Sequence, residues 1–286
     1  MSNPVGSRFE REWRAGSTPQ NTGLATLEVA AGRPVGYDQA AFAQAQASYY
    51  APAADGVDTG RMTYDDVIVK TASCLAFLIV GGAVSWCAGY VSSGLQIGLM
   101  ILGVIAGFVL AMVNTFTKTV RPQLILLYSM VEGLALGAVS QVTEAAIPGI
   151  VLQAVVATIA VFVVTLILFA SGKVRNSSRL VKFTLIGLIG LVVMRGLIWL
   201  LSMFGFNTGE IYGYYLFGIP LAAIIGVAAV FLGALCLIED FDQAKTGVNL
   251  GIPRNCAWLC AFSMMVTVVW MYLELLRLLS VLNSDN

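Results

Sequence analysis

Four charged side chains stand inside long apolar runs of this chain: Glu132, Arg195, Glu274 and Arg277. A charge near the centre of a bilayer costs at least about 2.5–3.5 kcal/mol on insertion scales, so such a residue faces a bundle interior or a wet cavity. At 1.5 Å of rise per helical residue, Glu132 lies about 16 Å past Arg121 and Arg195 about 20 Å past Lys182. Both depths are near mid-membrane, which predicts an ion pair tying the third span to the fifth, or a place on an ion or proton pathway. Glu274 lies about 30 Å past Arg254, close to the opposite interface. Arg277, three residues on and on the same face, is its expected partner in a pair that snorkels toward water.

A second acidic group sits where the sixth apolar run ends, in Ile238-Glu239-Asp240-Phe241-Asp242-Gln243-Ala244-Lys245. A helix C-terminus carries partial negative charge, so three carboxylates there cost stability unless something compensates. Asp240 and Asp242 are two apart and point to different faces. One is expected to turn inward toward a basic partner, Lys118 or Arg121 by topology, and the other to remain solvated. Calcium prefers hard oxygen ligands, and Glu132, Asp240, Asp242, Glu274 and membrane threonines are the groups that could line its path.

Histidine is absent from the 286 residues. No Ser-His or Cys-His catalytic pair and no imidazole-ligated metal is therefore available, and no nucleophile stands in a recognisable motif, so no enzyme is expected. A response to pH near neutrality would have to come from buried carboxylates. Cys74, Cys87, Cys236, Cys256 and Cys260 all lie in or beside apolar runs without a CxxC pair, and read as small packing residues. No cofactor and no resident metal are expected, calcium entering only as a transported ion.

The elements that must position these groups are membrane spans. The chain is 58% hydrophobic and 11% charged, against roughly a quarter charged in soluble domains, and its mean hydropathy is +0.83. Sixteen basic residues balance sixteen acidic ones, so no nucleic-acid partner is implied. Residues 1–61 are rich in Ala, Gln, Gly, Ser and Pro and hold no sustained apolar run. They read as a disordered tail without the h-region of a signal peptide. From residue 62 to 286 the chain reads as all-α. Thr63 with Asp66 resembles a capping box, and seven stretches then meet the length needed to span a bilayer, at roughly 67–90, 94–116, 122–142, 147–170, 180–203, 213–238 and 255–281.

The connections near 117–122, 172–182 and 239–254 carry Lys118, Arg121, Lys173, Arg175, Arg179, Lys182, Lys245 and Arg254, whereas those near 91–93, 143–146 and 204–212 carry no Lys or Arg. Such a bias places the N-terminus in the cytoplasm and, with seven spans, the C-terminus outside. The spacings Gly94/Gly98, Gly103/Gly107 and Gly133/Gly137 allow close approach of helices, though 29 glycines would give about that many by chance.

Three stretches stand out in order and spacing: Tyr128-Ser129-Met130-Val131-Glu132-Gly133-Leu134-Ala135-Leu136-Gly137, Asp240-Phe241-Asp242-Gln243 and Trp270-Met271-Tyr272-Leu273-Glu274-Leu275-Leu276-Arg277-Leu278-Leu279. With them the chain resembles the Bax inhibitor family of transmembrane proteins, in its YccA-like bacterial branch. The resemblance covers about residues 62–284. It implies seven helices with the last one central, in a bacterial plasma membrane, and a proton-regulated calcium leak. There a carboxylate at the end of helix 6 and one in helix 7 share a proton and latch to a basic residue. Asp240 matches the helix 6 position. Thr267 stands where channel-type members have the helix 7 aspartate, and the latch position falls near Thr115, with Lys118 and Arg121 nearby. The two-carboxylate sensor is incomplete in this sequence. Two functions follow from the resemblance: a passive cation leak, calcium first, or a non-transporting protein that modulates a membrane protease or another membrane complex, for which the tail would be the docking handle.

Overall fold

The computed structural model describes residues 60–117, 119–172, 176–205, 214–216 and 218–284. The expected tail, but for its last two residues, lies outside this set, as do Lys118, Lys173 and Arg175. Among the described residues seven helices are long and apolar enough to cross a membrane: α1 (Tyr64–Val91), α2 (Ser93–Phe116), α3 (Pro122–Ala146), α4 (Ile150–Ala170), α5 (Ser178–Met203), α6 (Leu221–Leu250) and α7 (Ala257–Ser284). A single 3₁₀ turn, Arg254–Cys256, leads into α7.

Local chemistry sets the helix ends. At α1 the Thr63 hydroxyl accepts from the Asp66 N–H at 3.2 Å while the Asp66 carboxylate accepts from the Thr63 N–H at 3.3 Å, the reciprocal cap expected from the sequence. Pro122 opens α3, where its missing N–H costs nothing. The Glu144 carboxylate, near the end of α3, accepts from the N–H groups of Gly149 and Val151 at 2.7 and 3.0 Å and so caps α4.

The largest departure from the sequence reading is α6. Expected over 213–238, it runs Leu221–Leu250. Instead Tyr215–Leu216 pairs antiparallel with Ile219–Pro220, and Pro220 stands immediately before the helix. At the other end the helix continues about two turns beyond the acidic cluster and stops at Gly251, whose φ of 62° supplies the left-handed residue that closes a helix. Polarity ends the apolar run at Glu239, but it does not end the helix. The three carboxylates are therefore free of the C-terminal dipole.

Helix α7 occupies the centre: 67% of its apolar 18-residue stretch is buried, against 6% of that of α5. It packs on α1, α3, α4 and α6, while α2 lies on α1 and α3, and α5 packs chiefly on α6. Each of the three cores is built on α7. Cys260, Met264 and Met271 meet Leu237 and Phe241 of α6. Ala261, Met265 and Val269 meet Ile125 and Tyr128 of α3. Leu276 meets Ile150 and Ala154 of α4. None of the five cysteines is in a disulfide, and Cys74, Cys256 and Cys260 are buried.

Because lipid is as apolar as leucine, close backbone packing rather than hydrophobic burial must hold such helices together. The tightest contact joins α1 to α3. A methyl added at Gly133 would overlap the Leu78 carbonyl, and one at Gly137 the Gly82 carbonyl. Gly81 faces the Met130 carbonyl in the same way. Gly103 and Gly107 seat α2 against Ala135 and Glu132 of α3, whereas Gly94 and Gly98 meet no neighbouring helix. The connector between α6 and α7 is tied to the start of α1. The Met62 N–H donates to the Ile252 carbonyl at 2.8 Å, and Arg254 Nε pairs with Asp66 Oδ1 at 2.6 Å. Lys70 Nζ donates to the Arg254 carbonyl at 2.7 Å.

Candidate functional site

Asp240 projects from α6 onto α7, where Ser263 and Thr267 stand one turn apart. Its Oδ1 accepts from the Ser263 hydroxyl at 2.5 Å and its Oδ2 from the Thr267 hydroxyl at 2.7 Å. The carboxyl is buried, with 7% of the residue exposed. Phe241 and Leu237 beside it belong to the core that α6 shares with α7, and this packing fixes which face of α6 turns inward.

The chemistry of the pocket follows from its donors. A hydroxyl carries one proton and two lone pairs. The Thr267 hydroxyl has a second acceptor within reach, the Ser263 carbonyl at 3.2 Å. It can donate to an ionised Asp240, or donate to that carbonyl and accept from a protonated one. Both protonation states of Asp240 can thus be satisfied without moving a helix.

The neighbouring acids diverge. Glu239 turns to Thr184 of α5, with one buried oxygen, Oε1, lacking a hydrogen bond. Asp242 accepts from Asn176 Nδ2 at 3.0 Å, just before α5. Among the described residues no basic side chain pairs with Asp240. Arg121 is exposed and Lys118 lies outside the described residues. The ion pairs among the described residues are Arg254–Asp66 and Arg195–Glu274.

That second pair corrects two expectations. Arg195 does not meet Glu132, and Glu274 does not rely on Arg277. Arg195 grips Glu274 with both terminal nitrogens, Nη1 on Oε1 and Nη2 on Oε2, the latter at 2.6 Å. This is the two-pronged geometry that guanidinium offers a carboxylate. Glu274 is 2% exposed, so its carboxylate is held inside the bundle and does not snorkel toward water. The reason is positional. Arg195 and Glu274 each stand 17 residues past the first residue of their helices, Ser178 and Ala257. Both are therefore about 26 Å along from the same side. Glu132 lies half-buried against Gly107 of α2.

The structure thus brings Asp240 and Thr267 together and keeps Glu132, Asp242, Glu274, Arg121, Arg195 and Arg277 out of that pocket. Sequence reasoning missed Ser263. Its signal was the i, i+4 spacing with Thr267, two hydroxyls on one face of an otherwise apolar helix.

No curated relative matches the chain. Residues 3–284 match the family described as Bax inhibitor 1 like, whose expected arrangement, a bundle of seven helices around the last one, is the one described above. The chain belongs to that family.

Proposed function

We propose that this protein is a passive cation leak, calcium the favoured ion, controlled at Asp240. The observation that carries the reading is the buried carboxylate of α6 held by two hydroxyls of the central helix, with Thr267 at the position where channel-type relatives are expected to carry an aspartate. The regulatory element is then a single carboxylate and not a proton-sharing pair. Calcium takes six to eight oxygen ligands. One carboxylate and two hydroxyls supply only part of that set, which suits a point of passage where water completes the shell better than a storage site. In this reading the membrane is the plasma membrane of a bacterium, with the N-terminus on the cytoplasmic side, an orientation that the Lys/Arg bias of the connections supports.

The test is calcium entry into liposomes carrying the purified full chain, scanned from about pH 5.5 to 8, for the wild type and Asp240→Asn. Altered flux, or an altered pH profile, in the variant is the expected result. An unchanged flux and profile would remove Asp240 from control. Wild-type flux no greater than that of empty liposomes would discard the leak in favour of a membrane interaction protein, to be pursued through deletion of residues 1–60.

A further inference from the structure

Helices α1 and α4 both pack against α7, but hardly against each other. Between them lies a crevice of about 530 Å³, within the roughly 300–1,000 Å³ of sites that hold small ligands. Gly82, Ala83 and Ile79 of α1 form one wall and Val155 and Ile159 of α4 the other. Leu136 and Gly137 of α3 and Met265 and Val269 of α7 lie along its floor.

The hydrogen-bonding side chains of this wall are all satisfied within the protein. Ser140 Oγ and Tyr272 Oη bond each other at 2.6 Å. Thr158 donates to the Ala154 carbonyl at 2.7 Å, Trp86 Nε1 to the Tyr90 hydroxyl at 3.2 Å, and Thr71 to the sulfur of Met264 at 4.0 Å. Water held in such a cleft would need two to four polar partners and would find few unspent ones, and apolar cavities stay dry. The surrounding medium of a membrane-spanning bundle is hydrocarbon, and it reaches this cleft from the side.

Length agrees with that occupant. Along α1 the crevice runs from Thr71 to Trp86, fifteen residues or about 22 Å, a large part of the roughly 30 Å hydrocarbon core. One end is marked by the Trp86–Tyr90 pair, both residues of the kind that sit at headgroup level.

We propose that this crevice is a lipid site, holding one acyl chain of a phospholipid between α1 and α4, with the headgroup at the Trp86–Tyr90 end. The site is separate from Asp240 and does not rest on ion conduction. An occupied crevice would supply the packing that α1 and α4 do not give each other.

The test uses the full chain in liposomes containing a phospholipid with a photoactivatable diazirine on its acyl chain, with adducts mapped by mass spectrometry. Adducts should concentrate on crevice residues such as Ala83 and Val155, beyond their density on the exposed face of α5. Val155→Trp fills the space from the α4 wall and should reduce crevice labelling several-fold. Val156→Trp, one position away on an exposed part of the same helix and outside the crevice lining, should leave it unchanged. Ala83→Phe fills the same space from α1 and decides the matter if the first variant does not fold. Labelling no denser in the crevice than on α5, or unaltered by either filling variant, would overturn the proposal and leave ordinary boundary lipid.

Discussion

Two buried carboxylates stand at helix contacts of this bundle, and they are held in opposite ways. Glu274 of α7 is clamped by the Arg195 guanidinium of α5. Asp240 of α6 meets only the hydroxyls of Ser263 and Thr267. A guanidinium can only donate and cannot lose its charge, so the first site accepts one state of its acid. A hydroxyl donates or accepts, so the second accepts two. The difference separates a structural tie from a group able to change its proton. It also places the tie on the most exposed helix and the changeable group between two of the best packed ones.

The largest expected effect comes from breaking the tie. Arg195→Ala leaves the Glu274 charge buried without a partner and should cost about 3–5 kcal/mol, read as a fall in the thermal midpoint of the purified protein in detergent. Replacing both residues together, with Arg195→Met and Glu274→Leu, should recover most of that loss, since a buried ion pair is commonly exchanged for apolar packing at little cost. If the double variant is as unstable as the single one, the pair does more than hold α5.

At Asp240 the order of effects reverses. Asp240→Asn keeps an acceptor for one hydroxyl and donates to the other, which can turn its own proton to the Ser263 carbonyl, so it should cost only about 1 kcal/mol in the same melting experiment, while changing calcium flux. Thr267→Asp sharpens the comparison from the other side, because it places a second acid against Asp240. Two carboxylates at that distance share a proton, so flux should become more steeply pH-dependent than in the wild type. A profile indistinguishable from wild type would show that this interface does not control the path.

The smallest effect is expected at the third acid–base contact, Asp66–Arg254, where the arginine side chain is 53% exposed. Arg254→Ala should cost about 0–1 kcal/mol and become harder to detect as salt is raised.

The capping box at Thr63 and six of the seven helix starts to within three residues were legible in the sequence, because each rests on a local or compositional signal; the central place of the last helix came through resemblance alone. The juxtaposition of Asp240 with Thr267 was legible only through resemblance, since nothing in either segment specifies which faces of α6 and α7 meet. The partner of Arg195 was missed for a countable reason. Depth was reckoned from Lys182 and Arg254, but Lys182 is already inside α5 and Arg254 lies before α7 begins. Measured from the helix starts instead, the two residues share a level. The length of α6 was misjudged because hydropathy reports where lipid stops, whereas a helix stops where its backbone finds a cap, here Gly251.

The Arg195–Glu274 pair also imposes an order on synthesis. The arginine precedes its partner by 79 residues. At roughly 5–20 residues per second the ribosome takes about 4–16 s to deliver the glutamate after the arginine has been made. Throughout that interval the fifth span carries an uncompensated cation, for which lateral release into lipid is unfavourable. Release of the fifth span together with the seventh, which brings the neutralising carboxylate, is the less costly course.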